Sequence, residues 1–342
     1  MSRERLIAAF LDRNGYGAAW AEPLAQDASF RRYLRLTGGP RPAVLMDAPP
    51  PEDIRPFVEI ARHLAGIGVS VPEIVAFDAP EGLLLEEDFG DDLFPKLIAV
   101  AASTPPPLPQ GEGECLVLLD TAIDALVAMQ HAPVPTGLPV WDAAMMAETA
   151  LATLFDWWWP AMFGARAQDA ARQDFATALA EMLAPVAAGP TCFVHRDFFA
   201  GNLIWLPQRT GVRRVGVLDF QNAAVGYPAY DLASLLQDAR RDIPEPVAER
   251  AIARYLAARP ELNRAEFRAA YAACAAQRHL RVAGQWVRLA RRDGRPGYLA
   301  FGPRTWRLLE KAVREPTAAP LAAALDRWIP PGRRGNPPNL AA

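Results

Sequence analysis

Lysine is almost missing from this chain. Lys96 and Lys311 are two of 36 basic side chains in 342 residues, and the rest are arginine. Chemistry that depends on a lysine ammonium at a fixed place has little to draw on. Cysteine is scarce too: Cys115, Cys192 and Cys274 lie far apart, without metal-ligand spacing. Cys192, inside the apolar run TCFV, reads as a buried structural thiol. No apolar run approaches the roughly 18 residues that span a bilayer. The N-terminal MSRERLIAAFLDR is a charged amphipathic helix without a signal-peptide core, so the expected location is cytoplasmic, with no membrane partner. A net charge of −3 and a pI near 5.9 leave no basic surface for nucleic acid. No obligate protein partner is evident.

Half of the composition is hydrophobic, enough for a large core and two lobes. The centre of the chain is the stretch from His195 to Asp231. His195-Arg196-Asp197, four further residues and Asn202 complete the pattern H-R-D-x-x-x-x-N. In kinases the aspartate of this pattern accepts the proton of the substrate hydroxyl and the asparagine holds magnesium. A lone H-R-D is common, and a single aspartate is more often a helix cap or an ion-pair partner. Here two short apolar runs follow, Leu203–Leu206 and Val215–Leu218, separated by the turn-rich PQRTGVRR. An antiparallel hairpin folding back near Thr210-Gly211 would set Asn202 beside Asp219. One neutral oxygen donor and one carboxylate would then face one point, which suits a Mg2+ ion bridging ATP phosphates. Asp219 stands where a kinase carries the aspartate of D-F-G. Asp231 opens the helix LASLLQDAR and is placed to cap it or, with His195, to hold the catalytic loop.

Ahead of this centre, residues 2–14 have helical spacing, and AEPLAQDASFRRYLRLTGGPRPAVLMDAPP reads as three short strands. The first turn, DASFRR, would cover nucleotide phosphates, yet it contains no glycine. It offers Ser29, Phe30, Arg31, Arg32 and backbone amides, or it is a plain surface turn. The third strand, Ala43–Asp47, carries Met46 where a protein kinase places its lysine. An arginine takes over the charge, or the nucleotide is held by magnesium and amides. Residues 51–64 form an amphipathic helix on which Glu59 either meets a cation or is solvated. The strand Leu83–Leu85 breaks into Glu86-Glu87-Asp88-Phe89-Gly90. This suits a hinge whose backbone at Glu87 and Phe89 would bind an adenine edge, or an acidic surface turn.

Residues 101–114 read as a Pro/Gly-rich loop, and helices are expected over 115–129, 141–155, 246–257 and 264–291. Trp157-Trp158-Trp159 cannot all face inward. PPGRRGNPPNLAA reads as a disordered tail. The fold class expected is α+β, a bilobal protein-kinase-like fold. It comprises a small antiparallel-sheet N-terminal nucleotide-binding lobe (1–89), a mostly helical C-terminal lobe (90–330) and the tail (331–342). No A-P-E segment follows Asp219, which argues against a protein kinase.

The pairing of VHRDFFAGNL with VLDFQNAAVGYPAYDLASL resembles the aminoglycoside phosphotransferase/choline kinase group. DASFRRYLR, VLMDAPPPEDIRPFV, QRHLRVAG and RDGRPGYL are similar, more narrowly, to bacterial anomeric N-acetylmuramate/N-acetylglucosamine kinases of cell-wall recycling. The resemblance runs from about Asp27 to Arg304. It implies ATP-dependent phosphorylation of a small-molecule amino sugar at its C1 hydroxyl, giving an α-1-phosphate. It implies Asp197 as base and Asn202 and Asp219 as Mg2+ ligands. The methionine of VLMDAPP matches this subgroup, so the missing lysine does not mark a dead enzyme; Arg31 or Arg32 would meet the phosphates. Arg278 and His279 are candidates for the sugar or its lactyl carboxylate, or are structural. Another small alcohol as acceptor, or a non-catalytic scaffold, are the alternatives. A cationic acceptor would call for acids, whereas the last helices carry arginine and histidine.

Overall fold

The computed structural model describes residues 2–24, 31–97 and 110–340. The strands are β1 (Trp20–Pro23), β2 (Arg32–Thr37), β3 (Ala43–Asp47), β4 (Ile74–Asp78), β5 (Leu83–Glu87), β6 (Val140–Trp141), β7 (Cys192–Val194), β8 (Leu203–Trp205), β9 (Val215–Val217) and β10 (Ala224–Gly226). The helices used below are α1 (Arg3–Arg13), α2 (Arg55–Gly66), α3 (Gln110–His131), α4 (Ala143–Thr153), α5 (Trp159–Phe163), α6 (Asp169–Met182), α7 (Ala229–Leu236), α8 (Glu245–Ala258), α9 (Arg264–Arg292), α10 (Gly302–Ala312) and α11 (Ala319–Trp328). The α+β class expected from the sequence is realised. No helix among the described residues is long and apolar enough to cross a membrane.

The chain forms two compact units. The first comprises residues 1–129 and 201–222, the second residues 130–200 and 223–342. This division differs from the boundary expected at 89. The difference lies in the hairpin β8–β9, which joins the first unit through bridges from Ser70 to Gly216 and from Leu93 to Ile204. Gly216 permits that approach, because a Cβ there would sit 2.7 Å from the Phe89 ring.

In the first unit, five antiparallel strands are ordered β1-β2-β3-β5-β4. Strand alternation sorts the side chains between two faces. Leu36, Ala43, Leu45, Leu83 and Leu85 join Phe10 and Leu11 of α1 and Tyr16 in one apolar cluster. Tyr33 pairs with Met46, Met46 with Leu84 and Val44 with Glu86, so these residues belong to the opposite face. Helix α2 buries Phe57, Val58, Ile60, Ala61 and Leu64, and the Phe57 ring lies 4.6 Å from that of Phe220. Glu59 is exposed, as a solvated helix residue. Helix α3 begins at Gln110, inside the stretch expected as a loop; residues 101–109 lie outside the described residues.

The second unit holds a three-stranded sheet, β6-β10-β7, and a set of helices in contact with α9. Helix α9 is capped by Asn263, whose side chain accepts from the amides of Ala265 and Glu266. It buries its apolar side chains against α4, α7 and α10. Gly284 allows its closest approach, since a Cβ there would fall 2.3 Å from the carbonyl oxygen of Thr153. Directly after Thr153 the helix widens into a π-turn, Leu154–Trp158. Trp158 and Trp159 are buried and Trp157 is half-buried, as three consecutive indoles require.

The expected tail is not disordered over its described part. The Trp158 indole donates to the Gly335 carbonyl at 2.8 Å, Asn336 Nδ2 donates to the Leu299 carbonyl at 2.7 Å, and Pro337 is buried. Its Pro/Gly composition prevents regular structure without preventing contacts.

Candidate active site

The second unit carries the loop with Asp197. Strand β7 ends at Val194, and the next two amides turn inward onto one carboxylate. His195 N donates to Asp231 Oδ2 at 2.6 Å and Arg196 N to Oδ1 at 2.9 Å. Asp231 is fully buried, and burial pushes its carboxyl up to about 7 against the pull of these two amides. The expected cap on α7 is not made: Asp231 sits in the first turn of the helix, and its oxygens are committed to the loop. Asp197 N donates to the ring Nδ1 of buried His195 at 3.3 Å. Arg196 adopts φ +74°, a left-handed conformation that non-glycine residues enter at a cost. Its guanidinium lies 4.0 Å from the Trp141 ring centroid. The Asp197 side chain, on this pinned loop, is 40% exposed, with Arg278 Nη1 3.7 Å from Oδ1. It is an accessible carboxylate on fixed backbone, the form a general base takes.

Between Ala200 and Gly201 the chain passes into the first unit. There the expected side-by-side placement of Asn202 and Asp219 is found: Asn202 Nδ2 lies 3.5 Å from Asp219 Oδ2. The hairpin sets this geometry, with Leu218 N donating to Asn202 O at 2.9 Å. Asp219 has φ +59°, and Gln221 Nε2 donates to its Oδ1 at 2.6 Å. An amide oxygen and a carboxylate are hard donors that fit Mg2+, which keeps water and phosphate oxygens in its other positions. No cluster of three or more His, Cys, Asp or Glu side chains among the described residues forms a metal site of the protein-only kind.

Of the residues expected at the nucleotide, Ser29 and Phe30 lie outside the described residues. Arg31 and Arg32 part company. Arg32 Nε donates to buried Asp47 at 2.9 Å, and Arg3 of α1 grips the same carboxylate at 2.8 Å. Arg32 is thereby tied to the α1 face of the sheet. Arg31, one residue earlier, is buried, and its Nε donates to Glu52 Oε2 at 3.3 Å. Arg35 pairs with Asp88 and Asp91, and Arg41 with Glu73. Arg31 shares its surroundings with Tyr33 and Glu86. Burial, then Glu86 and Asp219, raise the phenol of Tyr33. Burial pushes Glu86 up to about 8 in spite of Arg31.

Glu86, Tyr33 and Glu52 were missed by sequence reasoning. Alternation with Leu84 was the available signal for Glu86. At the expected hinge, the Glu87 amide donates to Glu73 O at 2.9 Å and its carboxylate holds Arg209. The Phe89 ring lies 5.0 Å beneath the Arg209 guanidinium.

His279 is not offered to a ligand. It is buried, its Nε2 meets Gln237 Oε1 at 2.9 Å, and burial with Arg278 beside it pushes the imidazole down to about 3. Arg278 is buried too, and is used on Asp197 and on the carbonyl of Arg196 at 3.4 Å.

This fold is found in kinases of small alcohols. A choline/ethanolamine kinase family protein from Mesorhizobium loti, 15% identical, superposes with a TM-score of 0.64 over 95% of this chain and 100% of its own. Residues 20–268 match the profile of the phosphotransferase enzyme family (APH), and the chain belongs to that family. Among curated relatives, the N-acetylmuramate/N-acetylglucosamine kinase of Caulobacter vibrioides is 38% identical over 96% of this chain and 97% of its own length. That of Pseudomonas aeruginosa is 36% identical over 89% and 87%.

Proposed function

We propose that this protein is an ATP-dependent kinase that phosphorylates the C1 hydroxyl of N-acetylmuramate and N-acetylglucosamine, giving the α-1-phosphate, in peptidoglycan recycling. The observation that carries the acceptor is the 38% identity to the Caulobacter vibrioides kinase, which extends over nearly both whole chains. The arginines around the Asp197 loop speak for the same acceptor class. Arg196 and Arg281 both approach the Trp141 ring and Arg278 approaches Tyr230, surroundings hostile to a cationic alcohol such as choline or an aminoglycoside.

In this reading Asp197 orients the anomeric hydroxyl and receives its proton. Phosphoryl transfer passes through a loose transition state, so the proton moves late and positioning dominates. The two amides held by Asp231 supply that positioning, because they fix the loop on which Asp197 sits. Asn202 and Asp219 would hold Mg2+, which neutralises charge on the nucleotide phosphates when bound. Arg31, braced by Glu52, is the cation offered to the phosphates in place of the missing lysine.

Asp197→Asn tests the assignment. Turnover should fall by about 10²–10⁴-fold with nucleotide affinity by calorimetry preserved, whereas Asp219→Ala should lose magnesium-dependent nucleotide binding. Undiminished turnover in a folded Asp197→Asn protein would remove the proposed base.

A further inference from the structure

The face of α9 that bears Arg278 continues beyond it. Arg281, Gln285, Arg288 and Arg292 follow at steps of three and four and line one side of the helix. Arg281, Gln285 and Arg288 are half-buried, while most residues between them are buried. Arg278 is spent on Asp197, but Arg281 is not spent on any acid. Its Nη2 reaches the Tyr230 hydroxyl at 3.3 Å, and its Nε is buried without a hydrogen-bond partner. Among the described residues no carboxylate forms an ion pair with it. Its guanidinium lies 5.8 Å from the Trp141 ring centroid, and the same ring carries Arg196 at 4.0 Å. Arg288, whose Nη1 donates to Gln285 Oε1 at 3.0 Å, is disfavoured as a cation by burial and then by Arg292, against the pull of Asp293, with Arg281 adding to the repulsion.

Arg292 pairs with Asp293 at 2.7 Å, which leaves half-buried Arg281 as the cation poised for an anion. The position specifies where on the acceptor that anion lies. Arg281 follows Arg278, the residue paired with Asp197, by three positions, so its Cα lies about 4.5 Å further along the helix axis than that of Arg278. A sugar whose reacting hydroxyl meets Asp197 would bring a neighbouring ring substituent towards Arg281.

We infer that Arg281, supported by Arg288, binds the carboxylate of an acid-bearing sugar acceptor and sets the preference for it over an uncharged amino sugar. This rests on the proposed function. N-acetylmuramate carries its carboxylate on the C3 ether, two ring atoms from C1, and N-acetylglucosamine has none. Arg278 then serves the base and Arg281 serves the substrate, one turn apart on one helix.

The test is the ratio of kcat/KM for N-acetylmuramate to that for N-acetylglucosamine, in wild type, Arg281→Gln, Arg281→Lys and Arg288→Gln. The ratio should fall by about tenfold or more in Arg281→Gln, recover in part in Arg281→Lys, and fall less in Arg288→Gln. In wild type, rising salt should raise KM for the acid sugar more than for the neutral one, and this arm stands even if Arg281→Gln does not fold. A purely structural role for Arg281 would lower both sugars in parallel. An unmoved ratio, with both sugars turned over and no salt difference, would overturn this inference alone. A wild type inactive on both sugars would overturn the proposed function and the inference with it.

Discussion

Glu86 occupies a position that few carboxyl groups tolerate. It lies on the face of the sheet that alternation gives to Tyr33, Met46 and Leu84, and burial raises its pKa from 4.5 to about 8. The folded state therefore holds the proton over a range in which the unfolded chain has released it. Fewer protons bound in the unfolded state means that stability falls as pH rises from about 4.5 to 8. Asp231 acts in the same direction between 3.8 and about 7. Glu86→Gln has no proton to lose at this site. Its unfolding free energy in chemical denaturation should exceed that of wild type by a margin that grows from pH 5 to pH 8, reaching on the order of a few kcal/mol. A margin independent of pH would contradict the burial argument. At this scale the placement of Asn202 beside Asp219 was legible, because the expected hairpin between them is formed. Choosing Arg31 over Arg32, or noticing Glu86, requires the strand register, which sets neighbouring residues on opposite faces. The sequence does not state that register.

At the scale of elements, the hairpin β8–β9 and helices α1, α2, α8 and α9 followed directly from apolar spacing. What spacing does not disclose is how closely two elements approach. Gly284 reads as a weak point within α9, where alanine would ordinarily gain about 1 kcal/mol. The structure reverses that sign, because the added Cβ would meet the backbone oxygen and carbon of Thr153 at 2.3 and 2.4 Å. Neither atom can swing aside as a side chain would. Gly284→Ala should lower stability by about 1–3 kcal/mol in chemical denaturation. An increase would show that the helix contact is looser than described. The π-turn after Thr153 was equally hidden.

Across the whole molecule, the sequence was a sound guide to fold class, and long-range pairings lay beyond it. Residues 201–222 return to the first unit, a long-range pairing that local composition does not reveal. The contacts of the C-terminal stretch were hidden for a related reason, since its partners, Trp158 and Leu299, are far away in sequence. Deleting residues 335–342 should destabilise the protein by about 1–3 kcal/mol, because the buried Trp158 indole loses its acceptor. An unchanged thermal midpoint would restore the tail without fixed contacts.

The central claim is the reaction, and it is tested by mixing the purified protein with ATP, magnesium and one acceptor at a time: N-acetylmuramate, N-acetylglucosamine, choline or kanamycin. ADP release and phosphorus NMR are then read together. The account predicts ADP release with the two amino sugars and the resonance of a sugar α-1-phosphate. ADP release with choline or kanamycin alone would contradict it.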